Sequence, residues 1–414
     1  MPELPLFSPR PHRAFSAGFY AGADFDYSVR GVLGDVPYGG ADVGEVLATI
    51  DGVANADHEH WFQAWHDTGS RLRALADAEA EAGNTLSASQ AYLRAATYFA
   101  VAVNSVSGLK SDELLVPTFR LHRSSWERYI DTTDRIVEQV AIPYEGDTLP
   151  GYFFRPTPDS AVRPTLVMVN GSDGAISGML GSGGAAALAR GYNVLIFDGP
   201  GQQSMLFERG VGFRPDWEAV LTPVVDWVLR RDDVDADRLA LYGLSQGGFW
   251  ISRALAHEHR FAAAIADPGV TDIAASWTAN IPSSLAKLFR AGKKEAFDRD
   301  MGLGMKLSPA TARTWRFRAR PYRQDSYFDT LTEVHRYTLT DDDAARITTP
   351  LWIADPQDEQ FWPGQSKDLA DRVGGPAELV EFTAAEGANF HCQPLARLLT
   401  DQRMFGWLDA TLRG

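Results

Sequence analysis

Hydrophobic positions recur with two different periods along this chain. Up to about residue 135 they follow helical spacing, in two segments separated by Gly83, a residue typical of a helix end. The apolar positions of these two segments are Trp61, Trp65, Leu72, Leu75, Ala78 and Ala82, followed by Tyr92, Leu93, Ala96, Phe99 and Ala100. This spacing predicts an N-terminal helical domain over residues 1–135.

From residue 136 onward, short apolar runs alternate with helical segments. The runs VEQVAIPYEG and LPGYFFRP predict an antiparallel hairpin. Six later runs predict parallel strands at residues 165–169, 192–197, 239–242, 262–266, 350–353 and 379–382. Strands that alternate with helices predict an α/β fold, with a mostly parallel central sheet and helices on both faces, over residues 136–414. Residues 270–345 interrupt this alternation with helical, aromatic and basic sequence, which predicts a lid insertion.

Composition excludes several classes of function. The single cysteine, Cys392, excludes an intrachain disulfide and a multi-cysteine metal site, and we expect neither a metal nor a cofactor. The formal net charge of −15 disfavours nucleic acid and anionic membranes as partners. The start MPELPLFSPRPHR lacks the apolar core of an export signal, and no apolar stretch is long enough to span a bilayer, so we predict a cytoplasmic protein.

The run LALYGLSQGGFW, at residues 239–250, contains the strongest chemical signal. Gly243 and Gly247 flank Ser245 between a predicted strand and a predicted helix. Small residues at these positions permit a tight turn that exposes the serine hydroxyl, with the N-terminus of a helix behind it. Ser245 is therefore the candidate nucleophile.

A serine nucleophile requires a histidine base and a carboxylate that orients it. His391, in EGANFHCQ after the last predicted strand, is the candidate base. Asp358, in LWIADPQD, is our candidate for the acid. Asp355, which begins the same turn, and Asp267, at the end of an earlier strand, remain alternatives.

The loop after the first parallel strand, NGSDG at residues 170–174, is predicted to complete an oxyanion hole. The backbone N–H groups of Ser172 and Gln246 are the expected pair, with Gly171 as the substitute for Ser172. Asp173 either fixes this loop or, if protonated, donates a hydrogen bond to a ketone. Two aromatic residues, Trp277 and Phe361, are further candidates for the substrate pocket.

These motifs together resemble the α/β-hydrolase superfamily, and within it the 2,6-dihydroxypseudooxynicotine hydrolases and the fungal pigment hydrolases that shorten polyketides. The resemblance lies in YLRAATYF, LPGYFFRP, NVLIFDGPGQ, GLSQGG and EGANFHCQ, which span most of residues 60–400. It implies a triad of Ser245, Asp358 and His391, a cleft between the core and the helical domain, and a homodimer. In the nicotine-pathway enzymes an extra glutamate near the oxyanion loop is linked to C–C cleavage, and the nearest acid here is Asp173.

We therefore expect a serine hydrolase that cleaves a C–C bond next to a ketone, in a β-diketone or aryl ketone of a small aromatic or polyketide-like molecule. A carboxylesterase or amidase acting on a bulky acyl compound is the first alternative. A ligand-binding protein without catalysis, on a hydrolase scaffold, is the second. A peptidase is disfavoured, because no propeller repeat precedes the core.

Overall fold

A computed structural model describes residues 18–279 and 281–413 of the chain. The prediction about an export signal concerns residues 1–13, which lie outside the described residues. One eight-stranded sheet forms the centre of the described part. Its strands are β1 (Ile136–Tyr144), β2 (Asp147–Arg155), β3 (Arg163–Val169), β4 (Asn193–Phe197), β5 (Val234–Leu244), β6 (Ala263–Asp267), β7 (Leu351–Pro356) and β8 (Ala377–Phe382).

The spatial order of the strands is β1-β2-β4-β3-β5-β6-β7-β8. The predicted hairpin is present: β1 pairs antiparallel with β2, and β2 pairs antiparallel with β4. The remaining pairs are parallel. Every residue of β4 and β6 is buried, because helices cover both faces of the sheet and apolar side chains are needed on each. The predicted α/β-hydrolase fold is confirmed.

Helices occur before, between and after the strands. The α-helices are α1 (Ala23–Gly34), α2 (Val43–Ile50), α3 (His58–Glu81), α4 (Thr85–Ser105), α5 (Leu115–Thr132), α6 (Ala185–Ala189), α7 (Gln203–Phe207), α8 (Glu218–Val228), α9 (Gly247–Leu255), α10 (Ala274–Thr278), α11 (Ser283–Arg290), α12 (Lys294–Leu307), α13 (Pro309–Ala319), α14 (Tyr327–Val334), α15 (Asp341–Arg346), α16 (Gln365–Arg372) and α17 (Arg397–Thr411). Shorter helical turns are Val36–Tyr38, Val106–Gly108, Leu180–Gly184, Arg320–Tyr322 and Ala384–Glu386.

Helices α1 to α5 share a core of their own and also pack on the sheet. Trp65 and Phe99 belong to the core between these helices. Tyr92 and Trp126 instead join the cluster that covers one face of the sheet, together with Tyr152. The helical region is thus attached to the sheet through a continuous apolar layer, whose burial stabilises both parts.

Helix α13, between β6 and β7, rests against the helical region. The guanidinium of Arg316 donates to the carbonyl oxygens of Ser107 and Leu109, and Arg320 forms an ion pair with Asp112 at 2.9 Å. These contacts join the segment between β6 and β7 to the N-terminal helical region.

Candidate active site

Ser245 occupies a strained turn between β5 and α9. Its φ is 57°, in the left-handed region that non-glycine residues rarely adopt, and its N–H donates to the carbonyl oxygen of Asp267 at 2.6 Å. A Cβ on Gly243 would lie 2.4 Å from the carbonyl oxygen of Gly247, and a Cβ on Gly247 would lie 2.7 Å from that of Val169. The two glycines are therefore required by the close approach of the backbone on both sides of the serine.

His391 lies opposite this turn, on the loop between β8 and α17. Its Nε2 is 2.8 Å from the Ser245 hydroxyl oxygen, and the residue is only 3% exposed. Two neighbours hold the backbone of His391: its N–H donates to Gln360 Oε1 at 3.0 Å, and its carbonyl oxygen accepts from the Tyr27 hydroxyl at 3.0 Å. The structure thus brings the predicted nucleophile and the predicted base into hydrogen-bonding contact.

The carboxylate beside His391 belongs to Glu359, and the prediction of Asp358 is wrong. Both Glu359 oxygens lie close to His391 Nδ1, at 2.9 and 2.8 Å. Asp358 is exposed, and it binds Asn389 instead: its N–H donates to the Asn389 carbonyl at 2.8 Å, and its carboxylate accepts from the Asn389 amide at 2.6 Å. The turn after β7 therefore directs Asp358 outward and the following carboxylate inward. Asp355, the second alternative, is also not bonded to His391 among the described residues.

The environment of Glu359 favours its ionised form. Burial raises the pKa of Glu359, but the charge and hydrogen bond of His391, together with the N–H groups of Phe361 and Trp362, outweigh burial and lower it below the ordinary value. A buried carboxylate that remains charged fixes the protonated nitrogen of the imidazole as Nδ1, which leaves Nε2 directed at Ser245.

The surroundings of His391 also change its basicity. Burial lowers the pKa of His391, whereas its neighbours Cys392 and Glu359 raise it, and the pKa lies well above the ordinary value of 6.5. Burial also raises the pKa of the Cys392 thiol, which is therefore neutral at neutral pH, so Glu359 supplies the charge that stabilises the imidazolium. His391 is therefore a stronger base than an ordinary histidine, and it lies beside the Ser245 hydroxyl.

The predicted oxyanion loop lies against the nucleophile. A Cβ on Gly171 would lie 2.8 Å from the Ser245 Cβ. The Gly171 N–H donates to its neighbour Asn170 Oδ1 at 2.8 Å, whereas the N–H groups of Ser172 and Gln246 have no acceptor within the described part of the chain. The backbone N–H groups of Ser172 and Gln246 are thus available to an incoming ligand, and that of Gly171 is occupied.

Two side chains shape this loop from either end. Gln202 accepts from the Gly199 N–H at 2.6 Å and donates to the Asn170 carbonyl at 2.8 Å, which ties the GPGQ turn to the loop. Asp173 is exposed and accepts from the Ser172 hydroxyl at 2.9 Å. Asp173 therefore contacts the loop itself and faces solvent.

The two predicted pocket aromatics lie on different sides of the site. The Phe361 ring is 4.7 Å from the His391 ring, measured between centroids. Trp277 lies against Tyr322 at 5.5 Å, and Tyr322 in turn neighbours Gln246. Phe361 thus borders the base directly, whereas Trp277 reaches the site through Tyr322. Neither Tyr322 nor Tyr27 was predicted from the sequence, and no local motif marks them.

Asp267, the third candidate for the acid, lies in a buried polar network behind the site. Its carboxylate is fully buried, accepts from the Gln393 amide at 3.0 Å and lies 3.3 Å from the Arg397 guanidinium. Arg397 also donates to the Cys392 carbonyl at 2.9 Å. Asp267 therefore supports the loop that carries His391 and does not bond the imidazole.

A metal-binding cluster and a membrane-spanning helix are both absent from residues 18–279 and 281–413. No group of three or more histidine, cysteine, aspartate or glutamate side chains there is arranged to hold a metal ion. None of the helices described in that range combines the length and the apolar character that crossing a bilayer requires.

Comparison with known proteins points to hydrolases. The prolyl oligopeptidase family matches residues 185–292. The hydrolase LUC6 of a Fusarium species is 29% identical over 97% of this chain and 98% of its own length. The 20-hydroxy-prefusarin hydrolase FUS2 of Gibberella moniliformis is 32% identical over 66% of this chain and 65% of its own length.

Among solved structures, that of 2,6-dihydroxy-pseudo-oxynicotine hydrolase superposes with a TM-score of 0.71, at 20% identity, over 92% of this chain and 95% of its own. At that identity the likeness supports the fold alone, and the sequence relatives supply the link to hydrolases. The chain is thus an enzyme with the α/β-hydrolase fold, related in sequence to the prolyl oligopeptidase family and to fungal hydrolases.

Proposed function

We propose that this chain is a serine hydrolase with Ser245 as nucleophile, His391 as general base and Glu359 as the orienting acid. The observation that carries the proposal is the continuous chain of hydrogen bonds from Glu359 through His391 to Ser245, with 2.8 Å at each step. A serine hydroxyl is a weak nucleophile at neutral pH unless a neighbouring base accepts its proton, and this geometry supplies that base.

In the first half of the reaction, the Ser245 oxygen attacks a carbonyl carbon while its proton moves to His391 Nε2. The carbonyl oxygen becomes an oxyanion, which the N–H groups of Ser172 and Gln246 stabilise. The imidazolium then gives the proton to the leaving group, and an acyl-enzyme remains. Water, activated by the same imidazole, releases the acid and restores the Ser245 hydroxyl.

The reaction we favour is hydrolysis of a C–C bond next to a ketone. When the tetrahedral intermediate breaks, the electron pair of the C–C bond stays on the leaving carbon, as a carbanion that the neighbouring ketone stabilises as an enolate. The proton held by His391 neutralises it. The relative FUS2 and the structural neighbour carry names that refer to hydroxylated organic substrates, which supports a small molecule here.

The aromatic side chains around the site support an aromatic or polyketide-like substrate. Phe361 lies beside the His391 ring, and Trp277 packs on Tyr322, which neighbours Gln246. We further propose that the helices of residues 1–135 and the lid of residues 270–345 enclose this substrate above a catalytic domain of residues 136–414. The contact of Tyr27 with His391, and those of Arg316 with the helical region, support that arrangement.

Hydrolysis of an ester or amide is the alternative, and the position of Asp173 favours it. Asp173 is exposed and bonds its neighbour Ser172, so it is not placed as a donor to a ketone oxygen. An ester releases an alkoxide or phenolate, which needs no electron sink. A ligand-binding protein without turnover is the remaining alternative, and it requires that Ser245 be unreactive.

The decisive experiment is intact mass spectrometry after treatment with a fluorophosphonate. We expect one adduct on the native protein and none on Ser245→Ala, with His391→Ala labelled far more slowly. Absence of an adduct on the folded native protein would overturn the catalytic proposal and favour a binding scaffold. With labelling established, an aryl 1,3-diketone assayed against an aryl ester separates C–C from ester hydrolysis.

The cytoplasmic location and the homodimer stay predictions. Cell fractionation tests the location, and light scattering tests the oligomeric state.

A further inference from the structure

Arg318 lies one side chain away from the candidate base. It is on α13, half-buried, with its guanidinium carbon 5.4 Å from the centroid of the Phe361 ring. That ring is itself 4.7 Å from the His391 ring. A positive charge is therefore held against the aromatic wall of the site, a position in which a guanidinium keeps all its N–H donors available for a ligand.

The two arginines that lie two positions before and after Arg318, Arg316 and Arg320, are occupied by other partners, whereas Arg318 is not. Arg316 donates to two carbonyl oxygens of the helical region, and Arg320 pairs with Asp112 at 2.9 Å. Within residues 18–279 and 281–413, Arg318 has neither a hydrogen bond nor a carboxylate within 4.0 Å. Arg318 is thus a cation without a carboxylate partner, in a protein that carries 54 acidic residues against 39 lysines and arginines.

Two further polar side chains lie near Arg318. The Tyr322 hydroxyl and the Gln246 amide nitrogen are buried and lie next to each other, outside ideal hydrogen-bond geometry. Burial raises the pKa of Tyr322, while Gln246 and Arg318 lie near enough to lower it in part. These two polar side chains and the charge of Arg318 therefore give a polar part to an otherwise aromatic wall beside Ser245.

We propose that Arg318 binds a carboxylate on the leaving part of the substrate. This inference rests on the proposed function, in which His391 protonates the leaving group. The part of the substrate beside His391 and Phe361 is then the leaving part, and Arg318 faces that side. A guanidinium binds a carboxylate through two parallel N–H donors, which a lysine ammonium does not reproduce.

The kinetic test uses 4-acetoxybenzoate, which has a carboxylate on its leaving part, and its neutral methyl ester. In both, Ser245 takes the acetyl group and the phenolate oxygen receives the proton from His391. We expect Arg318→Ala to lower kcat/KM for 4-acetoxybenzoate by about tenfold or more, mainly through KM, and to change the methyl ester by less than about twofold. Arg318→Lys should recover only part of the loss.

Arg313→Ala is the matched control, because it removes one positive charge from the same helix, at a position whose charge acts on His58 instead. We expect Arg313→Ala to behave as the native enzyme toward both esters. Equal losses on both esters in Arg318→Ala, or a carboxylate-specific loss of the same size in Arg313→Ala, would overturn the inference, since the effect would then be structural or due to overall charge.

A binding measurement keeps this inference separate from the proposed function. Isothermal titration of 4-acetoxybenzoate into Ser245→Ala requires no turnover, and we expect the Kd to rise about tenfold when Arg318→Ala is added. Carboxylate binding that depends on Arg318, without turnover by the native protein, would contradict the catalytic proposal alone. Absence of binding to Ser245→Ala, or binding that Arg318→Ala leaves unchanged, would overturn the role of Arg318 alone.

Discussion

Glu359 holds the His391 imidazole with both carboxylate oxygens, 2.9 and 2.8 Å from Nδ1. Asp358, one residue earlier, is exposed and bonds Asn389. The two adjacent carboxylates therefore have different tasks: one orients the imidazole and stabilises its charge, and the other tethers the loop that leads to it. Because they differ by one position, substitution at each provides a matched pair.

Glu359→Gln should abolish most of the activity, and Asp358→Asn should not. The neutral amide introduced by Glu359→Gln cannot stabilise an imidazolium and permits the wrong tautomer of His391, for which we expect a loss in kcat of about 10²- to 10⁴-fold. Asp358→Asn keeps a polar group at the contact with Asn389, so we expect a change of less than about threefold, as for a surface polar substitution. Steady-state kinetics on an aryl ester measures both. Similar losses in the two variants would contradict the assignment of Glu359.

The activity should rise with pH through the pKa of His391. Only neutral imidazole accepts the Ser245 proton, and the pKa of His391 lies well above 6.5, because Glu359 stabilises the charged form. We therefore expect kcat/KM for a neutral ester to increase from weakly acidic to alkaline pH, with a midpoint above 6.5. Glu359→Gln should move this midpoint to lower pH. A native midpoint at or below the ordinary value, or one that Glu359→Gln leaves in place, would contradict the argument.

Gly171→Ala should impair catalysis by displacing the nucleophile. Its Cβ would lie 2.8 Å from the Ser245 Cβ and 3.2 Å from the hydroxyl oxygen, so either the loop or the serine must move. A displacement of this kind costs on the order of 10²-fold in kcat. Gly178→Ala is the control, since its Cβ would meet no atom within 4 Å. Kinetics and a thermal unfolding curve for each variant separate loss of function from loss of fold, and unchanged activity in Gly171→Ala would contradict the close contact.

The sequence predicts best what local patterns determine. The strands and the turn at Ser245 depend on runs of apolar residues and on two flanking glycines, so they are readable without tertiary information. His391 follows from its place after the last strand. The strands, the turn at Ser245 and His391 all lie where the sequence pattern indicates. The Ser245 hydroxyl oxygen and His391 Nε2 are 2.8 Å apart.

The acid and the helical contacts depend on distant parts of the chain. Which carboxylate of the Asp358–Glu359 pair turns inward is set by hydrogen bonds to Asn389, which is 31 residues later. Tyr27 contacts His391 across 364 residues of sequence. Periodicity gives no information about such pairings, because they arise only when separate elements pack together.

The buried pair of Asp267 and Arg397 should matter for stability as well as for activity. Arg397→Met leaves two buried carboxylates, Asp267 and Asp401, without their guanidinium, and we expect a loss of about 3–5 kcal/mol in the free energy of unfolding. Lys367→Met, at an ion pair with Asp371 that is more than half exposed, should cost about 0–1 kcal/mol.

Urea unfolding measures both losses. Because Arg397 also holds the Cys392 carbonyl, the folded fraction of Arg397→Met should show a lowered kcat, since the loop that carries His391 is less well fixed. Adding Asp267→Asn to Arg397→Met should restore part of the stability, because it removes one of the unpaired charges. Equal stability losses in Arg397→Met and Lys367→Met would show that the buried network does not hold this loop.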